Sequence, residues 1–132
     1  MTLFSPLRIA VYTLVAFATA LSTTPAEAAE APLGGFSCTV PQSAQSKFTD
    51  RLRRFSARNG FEIEVANSAS GTTTIQIWRQ ELMAIADNTS APGVFQVRIY
   101  AGSPQFKPAN SMTQRVFHDL RRSVAEVADC RL

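Results

Sequence analysis

Two cysteines, Cys38 and Cys130, stand near opposite ends of the region of this 132-residue chain that carries structural signals, and the chain has no others. In an exported protein two thiols are ordinarily oxidised to each other, so the spacing predicts a fold whose ends meet. Closing a loop of about 90 residues removes on the order of 4 to 5 kcal/mol of unfolded-state freedom in the chain-entropy model, as much as many small domains have in total. A redox role needs an accessible Cys-x-x-Cys or a low-pKa thiol, and neither spacing nor context offers one. A metal site is not expected either, because His118 is the lone histidine and no Cys/His cluster accompanies it. No cofactor motif is present: the sequence has no phosphate-cradling glycine loop, dinucleotide fingerprint or calcium loop.

The oxidising compartment is itself read from the first residues. Met1 to Arg8 is short and weakly basic, Ile9 to Leu21 is apolar, and Ala26-Glu27-Ala28 has the small-x-small form of a cleavage signal. The apolar run is too short to cross a bilayer as a helix. Residues 1–28 therefore read as a cleaved secretory signal peptide, 29–40 as an extended N-terminal arm, and 41–132 as one domain. Ser22-Thr23-Thr24-Pro25 follows the apolar run where a lipid-anchored precursor would place its cysteine. The expected location is the periplasm or the surrounding medium, with no transmembrane segment in the mature form.

Periodicity then divides the domain. Pro32, Gly34 and Gly35 leave the arm without a repeat. A helix starts at Pro41 to Ser43, carries Ala44, Phe48, Leu52 and Phe55 on one face, and stops at Asn59-Gly60. After Gly60 the period changes from 3.6 to 2, giving strands at Phe61 to Val65, Thr72 to Arg79, Leu82 to Ala86 and Val94 to Tyr100, with turns at 67–71 and 87–93. Ala101 to Asn110 reads as a loop. Asn110 or Ser111 is then placed to cap a last helix with Met112, Val116, Phe117, Leu120, Val124 and Val127 on its apolar side. The predicted fold is an α+β two-layer sandwich in the order α-β-β-β-β-α, a four-stranded antiparallel meander covered on one face by two helices.

Such a fold has two unlike surfaces. The uncovered sheet face would display Glu62, Glu64, Thr72, Thr74, Gln76, Trp78, Gln96, Arg98 and Tyr100, and Trp, Tyr and Arg are the residues enriched at binding hot spots. Trp78 and Tyr100 either form a docking surface or fold under the arm and the 101–110 loop. The helix layer would collect a basic face from Arg51, Arg54, Arg58, Arg115 and Arg122, suited to anionic lipid or lipopolysaccharide phosphates. Eleven of the 13 basic residues are arginines, whose planar forks match phosphate and carboxylate; an arginine-favouring codon usage gives the same count without a ligand. A net charge of +3 and the export signal both argue against nucleic acid.

Catalytic constellations are weak. His118 and Asp119 are adjacent on a helix and point about 100° apart, and no Gly-x-Ser-x-Gly occurs. Glu62 and Glu64 lie about 7 Å apart on one strand face, within the spacing of an inverting carboxylate pair, but on a flat sheet without a cleft. The sequence thus points to a non-catalytic exported binding protein of inhibitor or immunity type, contacting another envelope or secreted protein through Gln76, Trp78, Arg98 and Tyr100 or through a strand edge. The alternative is an envelope-assembly or lipid-associated accessory factor that uses the basic face.

Overall fold

The computed structural model describes residues 31–102 and 108–132. The leader read at 1–28, the first two residues of the arm and the middle of the 101–110 loop lie outside them. The described chain runs β1 (Gly34–Thr39), a 3-10 turn (Gln42–Ala44), α1 (Gln45–Asn59), β2 (Glu62–Asn67), β3 (Thr73–Trp78), β4 (Leu82–Ala91), β5 (Val94–Ala101), α2 (Asn110–Ala125) and β6 (Asp129–Arg131). The class is α+β, as expected. Among the described residues, however, the sheet has six antiparallel strands in the order β2-β3-β4-β5-β1-β6, so the four-stranded meander is corrected to a larger sheet with a strand before the first helix and another after the last.

The helices form where the 3.6 period places them. In α1 the buried side chains are Phe48, Leu52, Phe55 and Ser56, and Ser56 satisfies its hydroxyl by donating to the Leu52 carbonyl at 2.8 Å. Gly60 ends the helix at φ 72°, its N–H returning to the Ser56 carbonyl; a β-carbon disfavours this left-handed conformation. In α2, Val116, Leu120 and Val124 are buried and Met112, Phe117 and Val127 pack around them. Neither Asn110 nor Ser111 caps α2. The cap position is Ala109, without a side-chain bond, so Asn110 is already the first helical residue.

The second half of the extended arm is a sheet strand: β1 pairs with β5 from Gly34↔Ile99 to Thr39↔Val94, and Phe36 and Cys38 alternate into the core. A β-carbon on Gly35 would stand 2.8 Å from the Val97 carbonyl oxygen, so the glycine reflects close approach of two strands. The expected turn at 87–93 is also largely strand. Asp87, Asn88 and Thr89 are turn-forming types, but here Asp87 Oδ1 accepts from the Thr89 N–H and hydroxyl, and Asn88 Oδ1 accepts from the Thr73 N–H at 2.7 Å. These bonds accompany a register shift between Asp87 and Ala91, and the chain reverses only at Pro92-Gly93.

Both helices lie on the same side of the sheet. Phe48 packs on Phe95 with ring centroids 4.7 Å apart, and Phe36 meets Phe117 edge-on at 5.6 Å. Leu52, Ile75, Ile77, Val97, Ile99 and Leu120 complete a continuous core. Cys38 and Cys130 are direct cross-strand partners of β1 and β6 and form the expected disulfide. A disulfide is compatible with an oxidising, exported location. No helix among the described residues is long and apolar enough to cross a membrane.

Replacing Cys38→Ser together with Cys130→Ser, or adding reductant, removes a cross-link spanning 92 residues. The expected loss is on the order of 4 kcal/mol, which lowers the thermal midpoint by about 15 to 30 °C in a domain of this size; calorimetry with and without reductant checks it. Gly60→Ala isolates a backbone effect, because a β-carbon there meets nothing within 4 Å. Denaturant unfolding should show a loss of about 1 kcal/mol.

Candidate functional site

The sheet face turned away from α1 and α2 is organised by strand register into rows. Glu62, Trp78, Met83 and Tyr100 are successive partners across β2, β3, β4 and β5. The next row is Glu64, Gln76, Ile85, Arg98 and Gly35, and a third is Ala66, Thr74, Asp87, Gln96, Ser37 and Arg131. Neighbouring strands lie about 4.8 Å apart, so Trp78, Met83 and Tyr100 form an apolar band about 10 Å across, with Ile85 beside it. All four are half-buried, while Glu62 and Glu64 at the edge are exposed.

Gln76, Trp78, Arg98 and Tyr100 are therefore brought to one face, as the alternation implied. The Gln76 amide reaches the Met83 sulfur at 3.8 Å, and Ser37 Oγ donates to Gln96 at 3.1 Å. Arg98 approaches Asp87 at 3.9 Å, with the Arg98 side chain 43% exposed and that of Asp87 14% exposed. A long, partly solvated pair of this kind holds an arginine loosely, and Gly35 beside it has no side chain to crowd its stem. Sequence reasoning missed Met83, Ile85 and Asp87 on this face. Leu82-Met83-Ala84-Ile85-Ala86 is apolar at every position, so it carries no alternation to tell its two sides apart.

The basic helix face is less uniform than the sequence implies. Arg51 pairs with Glu126 at 2.5 Å, bridging α1 and α2, and Arg54 pairs with Asp50 one turn away. Arg58, Arg115 and Arg122 are exposed. His118 is exposed beside the Phe117 ring, and no hydrogen bond joins it to Asp119 among the described residues. Among those residues there is also no group of three His, Cys, Asp or Glu placed to hold a metal ion. Glu62 and Glu64 stand on the outermost strand of an open sheet.

A groove of about 580 Å³ runs between the N-terminal half of α1 and the β2 edge, lined by Ser46, Thr49, Asp50, Arg53, Val65 and Asn67 among others. At its end Thr73, a buried residue, donates to Asn67 at 2.8 Å and accepts from the Gln45 side chain at 3.1 Å. This bonding satisfies the threonine hydroxyl and ties the start of α1 to the sheet. No protein-family model, curated protein or solved structure matches this chain.

Arg79, next to Trp78, has a different task. Its guanidinium donates to the Asn59 carbonyl and to Glu81, both at 2.7 Å, and lies 4.4 Å above the centre of the Phe61 ring. It thereby closes the C-terminal end of α1 onto the β3–β4 turn. Arg79→Ala should lower stability by about 1 to 3 kcal/mol, combining a charge-assisted bond with a cation–π contact. Urea unfolding measures this, and any ligand affinity of the open face should be unchanged at temperatures where the variant is folded.

Proposed function

We propose that this chain is a small exported, non-catalytic binding protein that engages another envelope or secreted protein through its open sheet face. The observation that carries the reading is the row Trp78, Met83 and Tyr100 on three adjacent strands, with Arg98 and Gln76 in the next row. Trp and Tyr supply large contact areas for few frozen rotamers, and arginine is enriched beside them at binding hot spots. On a hydrogen-bonded sheet their backbones are already fixed, so little ordering cost remains for binding.

The face also has a charge direction that a folded protein partner can read. Glu62 and Glu64 lie at one margin, Arg98 lies past the apolar band, and Arg131 lies at the far edge. A complementary partner would be basic opposite β2, apolar in the middle and acidic beyond Arg98. Inhibition or immunity against an exported enzyme or toxin is the class of activity that fits a domain of this size. Pairing of Arg51 and Arg54 with acidic neighbours weakens the alternative of a lipid-seeking basic face.

The test immobilises the oxidised domain and captures partners from envelope and culture fractions, with identification by mass spectrometry. Capture should be lost with Trp78→Ala combined with Arg98→Ala, and a purified partner should bind at least about 100-fold more weakly, as for two hot-spot residues. Circular dichroism should show the variant folded. Unchanged capture by that variant rejects the open-face reading. Salt-sensitive sedimentation with anionic vesicles that survives this variant but vanishes when Arg51, Arg54 and Arg58 are changed to Gln would favour the lipid-associated alternative.

A further inference from the structure

The β2 edge shares Glu62 and Glu64 with the margin of the open face, but what it offers a partner is unpaired backbone. β2 pairs with β3 in unbroken register from Glu62↔Trp78 to Asn67↔Thr73. Among the described residues no strand pairs on its other side. Proteins usually blunt such an edge with charge, proline or a bulge. Glu62-Ile63-Glu64-Val65-Ala66-Asn67 has no proline and no break in its register, and its only charges are two glutamates. The opposite edge of the sheet, β6, has three residues and one of them is in the disulfide.

Charge decides what this edge can accept. Glu62 and Glu64 are exposed on the open-face side, and neither has an ion-pair partner among the described residues. A second copy of β2 added antiparallel about Ile63 would set Glu62 against Glu64 twice, and directly opposed like charges destabilise a strand pair. In that register the edge disfavours its own copy. A strand with Lys or Arg at the positions opposite the two glutamates gains attraction instead.

The groove under the strand supplies the second condition. Side chains of an added strand alternate between the two faces, and those on the helix side need room beneath α1. About 580 Å³ lies there beside Val65 and Asn67, bounded by Thr49, Asp50 and Arg53 of α1. This mixed lining suits small apolar or hydroxyl side chains. We infer that the β2 edge is a strand-addition site for an extended segment of a partner protein. That segment places Lys or Arg opposite Glu62 and Glu64, and small apolar or hydroxyl side chains over the groove. Main-chain bonds supply affinity and the alternate side chains supply selectivity.

The probe is a fluorescein-labelled ten-residue peptide alternating lysine with valine, titrated against the oxidised domain by anisotropy at low salt. Saturable binding is expected. It should weaken at least about tenfold with Glu62→Gln plus Glu64→Gln, and to a similar extent when alternate peptide nitrogens are methylated to block strand pairing. Added salt should weaken the wild-type interaction toward that of the Gln variant. The Gln substitutions are on exposed side chains, and an unchanged thermal midpoint verifies the fold. Absence of saturable binding up to millimolar peptide overturns the inference. Binding that tolerates N-methylation overturns it as well, since the contact is then charge without strand pairing, and so does equal affinity for the Gln variant.

Discussion

The pairing of β1 with β6, cross-linked at Cys38–Cys130, holds the rest of the architecture in place. β1 leads into α1 through a short 3-10 turn, and α2 leads into β6 within a few residues. Fixing these two strands side by side therefore fixes the roots of both helices. Phe48 then finds Phe95, Phe117 finds Phe36, and Ser123 reaches the Arg51 carbonyl across the helix pair at 3.4 Å. With both helices committed to one side, the sheet has one covered and one open face among the described residues.

This one-sided cover gives the surfaces their different characters. On the helix layer, arginine is partly neutralised by neighbours on the same layer, as Arg51 is by Glu126. On the open layer the polar groups make weaker contacts across the strands, and the apolar groups are half-buried by their neighbours without being enclosed. The side chains of the open layer are therefore already shielded along their flanks. Desolvating such a surface costs less than desolvating an isolated exposed arginine or glutamate.

Sequence periodicity revealed the helices and the central strands because each has one dry and one wet side. Phe48, Leu52 and Phe55 repeat with α1, and Ile75 and Ile77 alternate in β3. It did not reveal β1, because Gly35 serves a close approach to Val97, a contact invisible without the partner strand. Nor did it reveal β6, whose three residues are too few to show a period. β4 hid its length behind Asp87, Asn88 and Thr89: Asp87 accepts from the Thr89 N–H two residues on, as it would in a turn, while the Asn88 bond to Thr73 exists only once the strands are paired. In the candidate face, Trp78, Arg98 and Tyr100 were legible from alternation. Met83 and Ile85 were not, since β4 is apolar on both sides there. Arg79 looked like any other strand-end arginine, and only the fold brings it over Phe61 and against Asn59.

The position of β1 between β5 and β6 bears on the order in which the protein is made. β1 leaves the ribosome early, whereas β5 follows it by more than fifty residues and β6 by about ninety. Until then β1 has neither of its neighbours, and its glycine-rich start gives it little tendency to hold a shape alone. The hairpins of β2 to β5 can assemble locally in the meantime, since they are joined by short turns. The nascent chain thus carries a forward segment whose sheet position is completed last: β1 can be seated between β5 and β6 only after the central hairpins exist, so the cross-link at Cys38–Cys130 seals a sheet that is otherwise already built.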